Sequence, residues 1–111
     1  MTFDEFSQVN RARCLAWAKG KDAGILFHSN ELAGEVGEAC NAVKKLYRLR
    51  MGWAGGSDTT EAIMDELADV VICADLVAMQ LDGDLGAALA RKFNRTSAKH
   101  GFPHRLEESP E

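Results

Sequence analysis

The stretch from Glu61 to Leu81 carries apolar side chains around the whole circumference of a helix, which constrains the fold more than any other feature. A helix with this pattern is buried on most sides, so we expect it at the centre of the domain. Four acids interrupt it, and it contains no lysine or arginine to balance them: Asp65, Glu66, Asp69 and Asp75. Because burying an ionised carboxylate is costly, these acids need a partner from elsewhere.

Helical periodicity also dominates the rest of the chain. Thr2 and Glu5 have capping-box spacing, which predicts a first helix that ends before Gly20. After a loop over 19–24, Ser29 or Asn30 is expected to cap a second helix that runs from about Glu31 to Arg50.

A glycine-rich segment over 51–58 separates the second helix from the third and is expected to form a loop. Thr59 or Thr60 opens the third helix, which reaches about Leu81, and 82–84 form a tight connection. The fourth helix spans Leu85 to about Lys99, and Gly101 ends it. Since no alternating strand pattern occurs, we predict an all-α fold, a four-helix-type bundle.

Length and composition indicate a single domain over 1–111, in which 104–111 form a polar tail. The chain has 111 residues, of which 46% are hydrophobic. Because short amphipathic helices bury their apolar faces only against other helices, we expect homo-oligomerisation to complete the bundle.

The sequence disfavours a secreted protein, a membrane span and nucleic-acid binding. The N-terminus lacks the features of a signal peptide, and no apolar run is long enough for a membrane span, so we predict a cytoplasmic protein without a membrane partner. A net charge of −4 gives no general case for binding DNA or RNA. The three cysteines, Cys14, Cys40 and Cys73, are interpreted as buried free thiols.

Two pairs of acids point to a metal site. Glu35 and Glu38 lie three residues apart in the second helix, and Glu66 and Asp69 have the same spacing in the third. Each pair projects from one helix face, so two facing helices can present four carboxylates to a common point. Ligation by oxygen alone favours Mg²⁺, or Mn²⁺, over zinc. Di-iron bundles need Glu-x-x-His pairs, which this chain lacks.

The fourth helix carries a basic stripe within an arc of roughly 100°, and no acid in that helix balances it: Arg91, Lys92, Arg95 and Lys99. Such a stripe suits the phosphates of an anionic substrate. A solvated helix face or a nucleic-acid contact are the alternatives.

The segments Leu32-Ala33-Gly34-Glu35-Val36-Gly37-Glu38-Ala39 and Asp65-Glu66-Leu67-Ala68-Asp69-Val70 resemble the E-x-x-E, spacer, E-x-x-D signature of the MazG-like superfamily. That group includes dimeric dUTPases, dCTP pyrophosphatases and phosphoribosyl-ATP pyrophosphohydrolases. The resemblance implies a helical homodimer or homotetramer that hydrolyses a (deoxy)nucleoside triphosphate to the monophosphate and pyrophosphate. Glu35, Glu38, Glu66 and Asp69 match the family's metal ligands.

The segment from Arg91 to Pro103 is similar to the family's phosphate-contacting segment, so the resemblance implies phosphate contacts by Lys92, Arg95 and Lys99. It departs from the common pattern after Lys99, where His100-Gly101-Phe102-Pro103 replaces a basic residue followed by Tyr and Pro.

Glu35, Glu38 or Glu66 could orient the attacking water, and we favour Glu38 as the general base. Trp53 in the glycine-rich loop and His28 are candidates for contact with the base. Trp17 and Phe27 could also stack on the base, but we favour the interpretation of both as core residues. Asn41, one turn after Glu38, could reach a phosphate or the sugar, or face solvent.

Two other functions remain open at this level. One is the related hydrolysis of phosphoribosyl-ATP, and the other is a non-catalytic helical module that senses a nucleotide or a metal or docks partners. The glycine-rich segment matches neither a P-loop nor a Rossmann fingerprint.

Overall fold

The computed structural model describes residues 1–108, and in that range it contains four α-helices and no β-strand. The helices are α1 (Phe3–Trp17), α2 (Ile25–Met51), α3 (Thr60–Gln80) and α4 (Leu85–Lys99). The predicted all-α class is confirmed. The end of the predicted polar tail, 109–111, lies outside the described residues.

Capping residues define most of the helix ends. The side chains of Thr2, Thr59 and Asp84 each accept a hydrogen bond from a backbone N–H in the first turn of the helix that follows. Beyond α4, Gly101 adopts a φ of 73°, and the N–H of Phe102 donates to the carbonyl of Ser97 at 2.9 Å. The predicted starts of α3 and α4 and the predicted end of α4 are therefore confirmed.

The predicted start of α2 is wrong. This helix begins at Ile25, and Ser29 and Asn30 lie inside it. The carboxylate of Asp22 accepts from the N–H of Gly24, and Gly24 has a φ of 85°, which turns the chain into the helix without a side-chain cap. The additional turn and a half brings Phe27 and His28 onto α2.

The helices pack unevenly. The main contact lies between α2 and α3, α1 packs on α3, and α4 has little contact with the other helices. The radius of gyration is 17.1 Å, whereas a compact chain of this length has one of about 13 Å. One copy of the chain therefore does not close a compact bundle.

The expectation that α3 is buried on most sides is wrong for a single chain. Ile63 is buried, but Met64, Leu67 and Val71 remain 57%, 43% and 46% exposed, because α2 and α1 cover only part of the circumference. Among the cysteines, which are all unbonded, Cys14 and Cys73 are half-buried and Cys40 is exposed, so the expectation of buried thiols is also wrong.

None of the helices within residues 1–108 combines the length and the apolarity that a membrane crossing requires.

The N-terminal cap of α3, the helix that carries Glu66, can be tested by substitution. Replacing Thr59 with Ala removes the side-chain acceptor for the N–H of Ala62, a bond of 3.1 Å. We expect the free energy of unfolding to fall by about 1 kcal/mol. Urea unfolding at fixed protein concentration measures the change. Thr60→Ala is the control, since no cap bond involves its side chain; equal losses in both variants would contradict the assigned cap.

Candidate metal centre and adjoining cavity

Two buried alanines lie on α2, whose main neighbour is α3. Ala39 and Ala42 are 4% and 7% exposed, whereas Val36 and Val43 of the same helix are 42% and 50% exposed. The face of α2 that is buried in the chain is therefore rotated away from these valines. Because helix separation depends on the side chains at the contact, alanines allow the two backbones to come close together.

Three carboxylates meet beside this contact. Glu35 and Glu38 of α2 and Glu66 of α3 each offer one carboxylate oxygen, and these oxygens all lie within 4.8 Å of one another. Glu35 Oε2 and Glu66 Oε2 are shielded from solvent and have no hydrogen-bond partner. Most buried polar atoms in proteins are satisfied, so these two oxygens lack a partner that either a proton or a cation can supply.

Burial and mutual repulsion raise the pKa values of Glu35 and Glu66. Burial is the largest cause that raises the pKa of Glu35, followed by the charges of Glu38, Asp69 and Glu66. Burial likewise raises the pKa of Glu66, followed by the charge of Glu38. No lysine or arginine offsets this repulsion, since the one ion pair within residues 1–108 joins Arg11 to Asp75.

Asp69 and Asp58 flank the three glutamates. Asp69 is exposed and lies outside the group of three, but its charge raises the pKa of both Glu35 and Glu66. Asp58 also raises the pKa of Glu66, and the sequence analysis did not single it out. It comes near because the glycine-rich loop folds onto α2, where a side chain at Gly56 would clash with the backbone of Leu49.

A cavity of about 930 Å³ adjoins the carboxylates, and Glu35 and Asp69 form part of its wall. The rest of the wall comes from α1, the connection between α1 and α2, the start of α2 and the second half of α3. The cavity therefore joins a strongly acidic end to a surface with several aromatic side chains.

The predicted residue His28 lines this cavity and is 5% exposed. Its ring meets that of Phe27 edge to face, with the centroids 5.4 Å apart. Trp17 and Phe27 also line the cavity, and they are 81% and 51% exposed, so the interpretation of both as core residues is wrong.

Trp53 and Asn41 do not line the cavity. Trp53 contacts Tyr47 edge to face, with ring centroids 5.5 Å apart, and is 55% exposed. The glycine-rich loop packs against the C-terminal part of α2, whereas the cavity lies against the N-terminal part of that helix. Asn41 is exposed on α2.

The predicted phosphate-binding residues also lie outside the cavity wall. Lys92, Arg95 and Lys99 are exposed on α4, and none of them lines the cavity. Asn94, in the same segment, donates to the carbonyl of Leu106 at 2.8 Å and accepts from its N–H at 2.7 Å. Its amide therefore holds the chain that follows α4.

Two cations that the sequence analysis did not select, Arg13 of α1 and Lys21 of the following loop, line the cavity. The sequence signal for Lys21 is the mixed charge of 19–24, which is equally typical of a solvated loop, and no motif marks Arg13. Asp22 lines the cavity as well, and hydrogen bonds from the N–H of Gly24 and from Gln80 lower its pKa.

Comparisons with protein-family models, with curated proteins and with solved structures returned no significant match. The chemistry of this centre therefore has to be inferred from the residues that form it.

The raised pKa values predict how stability depends on pH. Ionising Glu35 and Glu66 costs more in the folded state than in the unfolded state, so the metal-free protein should lose stability as pH rises from the ordinary glutamate pKa of about 4.3 through the raised values. Thermal unfolding in chelator at mildly acidic and neutral pH measures this loss. It should shrink in Glu66→Gln and persist in the control Glu61→Gln; an unchanged loss in Glu66→Gln would contradict the assignment.

Proposed function

We propose that the protein hydrolyses a (deoxy)nucleoside triphosphate to the monophosphate and pyrophosphate in a reaction that depends on Mg²⁺, for which Mn²⁺ can substitute. The observation that carries the proposal is the pair of shielded, unpartnered oxygens, Glu35 Oε2 and Glu66 Oε2, beside a cavity of about 930 Å³. Cavities that hold small molecules have volumes of roughly 300–1,000 Å³. Such an enzyme would adjust or clean the cytoplasmic nucleotide pool.

The donor set fits a hard divalent cation. Glu35, Glu38 and Glu66 would hold it, with Asp69 beside them, and all their donor atoms are carboxylate oxygens. Bound Mg²⁺ would supply positive charge to the phosphate oxygens and lower the pKa of water. The resemblance of the two motifs to the MazG-like signature supports the same set of ligands.

Glu38 is the best candidate for a general base. It is exposed, whereas Glu35 and Glu66 each keep one oxygen shielded from solvent. A water molecule can therefore approach Glu38 from solvent while its neighbours remain in the cluster. A base of this kind contributes typically about 10²–10⁴-fold to a rate.

The cavity would take the nucleoside and part of the phosphate chain. Trp17, Phe27 and His28 offer aromatic surface for a base, while Arg13 and Lys21 offer positive charge for phosphates. Glu35 and Asp69 in the same wall place this surface next to the proposed metal centre.

Homo-oligomerisation, as a dimer or tetramer, would complete both the bundle and the site. The uncovered apolar residues of α3 need a partner, and α4 presents a basic stripe away from the acidic cluster of its own chain. Charge complementarity favours an arrangement in which Lys92, Arg95 and Lys99 of one copy approach the carboxylates of another.

The first test is a panel of ribo- and deoxyribonucleoside triphosphates incubated with Mg²⁺, Mn²⁺ or chelator, with the products resolved by ion-exchange chromatography. We expect release of pyrophosphate and monophosphate that depends on metal, and a fall of about 10²-fold or more in Glu38→Gln. Glu61→Gln, which removes one exposed carboxylate of α3, should retain the wild-type rate. No turnover of any nucleotide would favour a non-catalytic sensing module, and turnover of phosphoribosyl-ATP alone would favour the related hydrolase.

The stability of a Glu66 variant without metal distinguishes a metal-binding role of this cluster from a structural one. Without metal, Glu66→Leu removes a carboxylate from a repulsive group, so the melting temperature should stay the same or rise while turnover is lost. Differential scanning calorimetry in chelator provides the measurement. A large loss of stability would instead indicate that Glu66 has a structural partner.

Complementation between two inactive variants tests whether α4 of one copy contributes to the site of another copy. Neither Glu38→Gln nor the double variant Lys92→Gln/Arg95→Gln should be active alone. In randomly mixed dimers, half are heterodimers and each has one intact site, so unfolding and refolding the two variants together should restore about a quarter of wild-type activity. Absence of recovery, with heterodimers verified by mass spectrometry, would place both groups in the same copy.

A further inference from the structure

Asp75 is the one fully buried charged side chain among the described residues, and it lies outside the carboxylate cluster. Its Oδ1 accepts a hydrogen bond from Ser7 Oγ at 2.8 Å and pairs with the guanidinium of Arg11 at 3.4 Å. Its Oδ2 accepts from the side-chain amide of Asn10 at 3.1 Å. One carboxylate of α3 therefore binds three polar side chains of α1.

These contacts hold the most deeply buried part of α1. Asn10 is the only residue of α1 that is buried, and Val9, Leu15 and Trp17 are 63%, 52% and 81% exposed. The amide of Asn10 also donates to the carbonyl of Ile72 at 3.1 Å. Phe3, Phe6 and Cys14 are only half-buried, so the place of α1 against α3 depends on this polar network together with partial apolar contacts.

The same helix forms one wall of the cavity. Asn10, which binds Asp75, lines the cavity together with Arg13, Cys14 and Trp17, which follow it along α1. The guanidinium of Arg11 also donates to the carbonyl of Gly83 at 2.7 Å, which connects the network to the turn before α4. A shift of α1 would therefore move the cation Arg13 and the ring of Trp17 relative to Glu35 and Asp69.

We propose that Asp75 is a positioning residue that holds the α1 wall of the cavity and thereby sets the affinity for the base, sugar and outer phosphates of the nucleotide. The inference rests on the proposed function for the identity of the occupant. Asp75 takes no part in the metal centre, since the partners of its carboxylate are the side chains of Ser7, Asn10 and Arg11. Loss of its charge weakens binding while the carboxylate cluster on α2 and α3 keeps its geometry.

The first arm of the test follows the position of α1 without using activity. In a Cys40→Ser/Cys73→Ser background, the half-buried Cys14 is the only remaining thiol. Asp75→Asn removes the charge that pairs with Arg11 and leaves one acceptor oxygen for the donors of Ser7, Asn10 and Arg11, so we expect Cys14 to react several-fold faster with a thiol reagent. Glu5→Gln, on the exposed side of α1, is the charge-matched control. Unchanged reactivity of Cys14 in Asp75→Asn would overturn the proposal.

The second arm follows nucleotide hydrolysis by the same variants in the wild-type cysteine background. Asp75→Asn should raise KM by about tenfold with little change in kcat, since only uniform binding is lost. Ser7→Ala, which removes one donor and leaves the ion pair intact, should shift KM in the same direction by less, and circular dichroism confirms that both variants are folded. A fall in kcat at unchanged KM would overturn the proposal.

The two arms separate this inference from the proposed function. If the wild type hydrolyses no nucleotide, the proposed function fails, and the role of Asp75 in nucleotide affinity fails with it, whereas the reactivity of Cys14 still decides whether Asp75 anchors α1. If the wild type is active and KM does not change in Asp75→Asn, the inference alone is wrong.

Discussion

The close pairing of α2 with α3 is the constraint on which the other features depend. Ala39 and Ala42 let the two helices approach, and this approach brings the carboxylates of Glu35, Glu38 and Glu66 together. The same contact thus creates both the largest interface in the chain and a concentration of like charge. A fold stabilised by apolar burial alone would avoid this arrangement, because each acid loses hydration without gaining a partner.

The cavity depends on a different kind of interaction. Its acidic end belongs to the α2–α3 pair, but its opposite wall belongs to α1, which is attached to α3 through Asp75 rather than through a continuous apolar face. The α1 wall of the cavity is therefore held by a different set of contacts from those that bring the carboxylates together.

The open arrangement of the helices has a physical origin in the pattern of their side chains. α3 is apolar around its circumference, and one chain supplies neighbours for only part of it. α4 carries its basic stripe on a helix with little contact to the others. Both features are consistent with further copies of the chain completing the fold, since uncovered apolar surface of this extent is uncommon on monomers.

The amino-acid sequence by itself determined the helical class, most of the helix boundaries and the acidic motifs, because these depend on local capping and periodicity. Thr59, Asp84 and Gly101 act through neighbours a few residues away, so their roles could be predicted. The start of α2 was missed because Gly24 begins that helix through a turn fixed by Asp22, without a side-chain cap.

Only the tertiary structure decided which residues share a site. It grouped Glu35, Glu38 and Glu66, brought Asp58 near them, and placed Arg13 and Lys21 in the cavity wall. It also placed Trp53 against Tyr47 and left α4 away from the cavity. Such neighbours depend on how one helix crosses another and where a loop folds back, and the periodicity of a single helix carries no information about either.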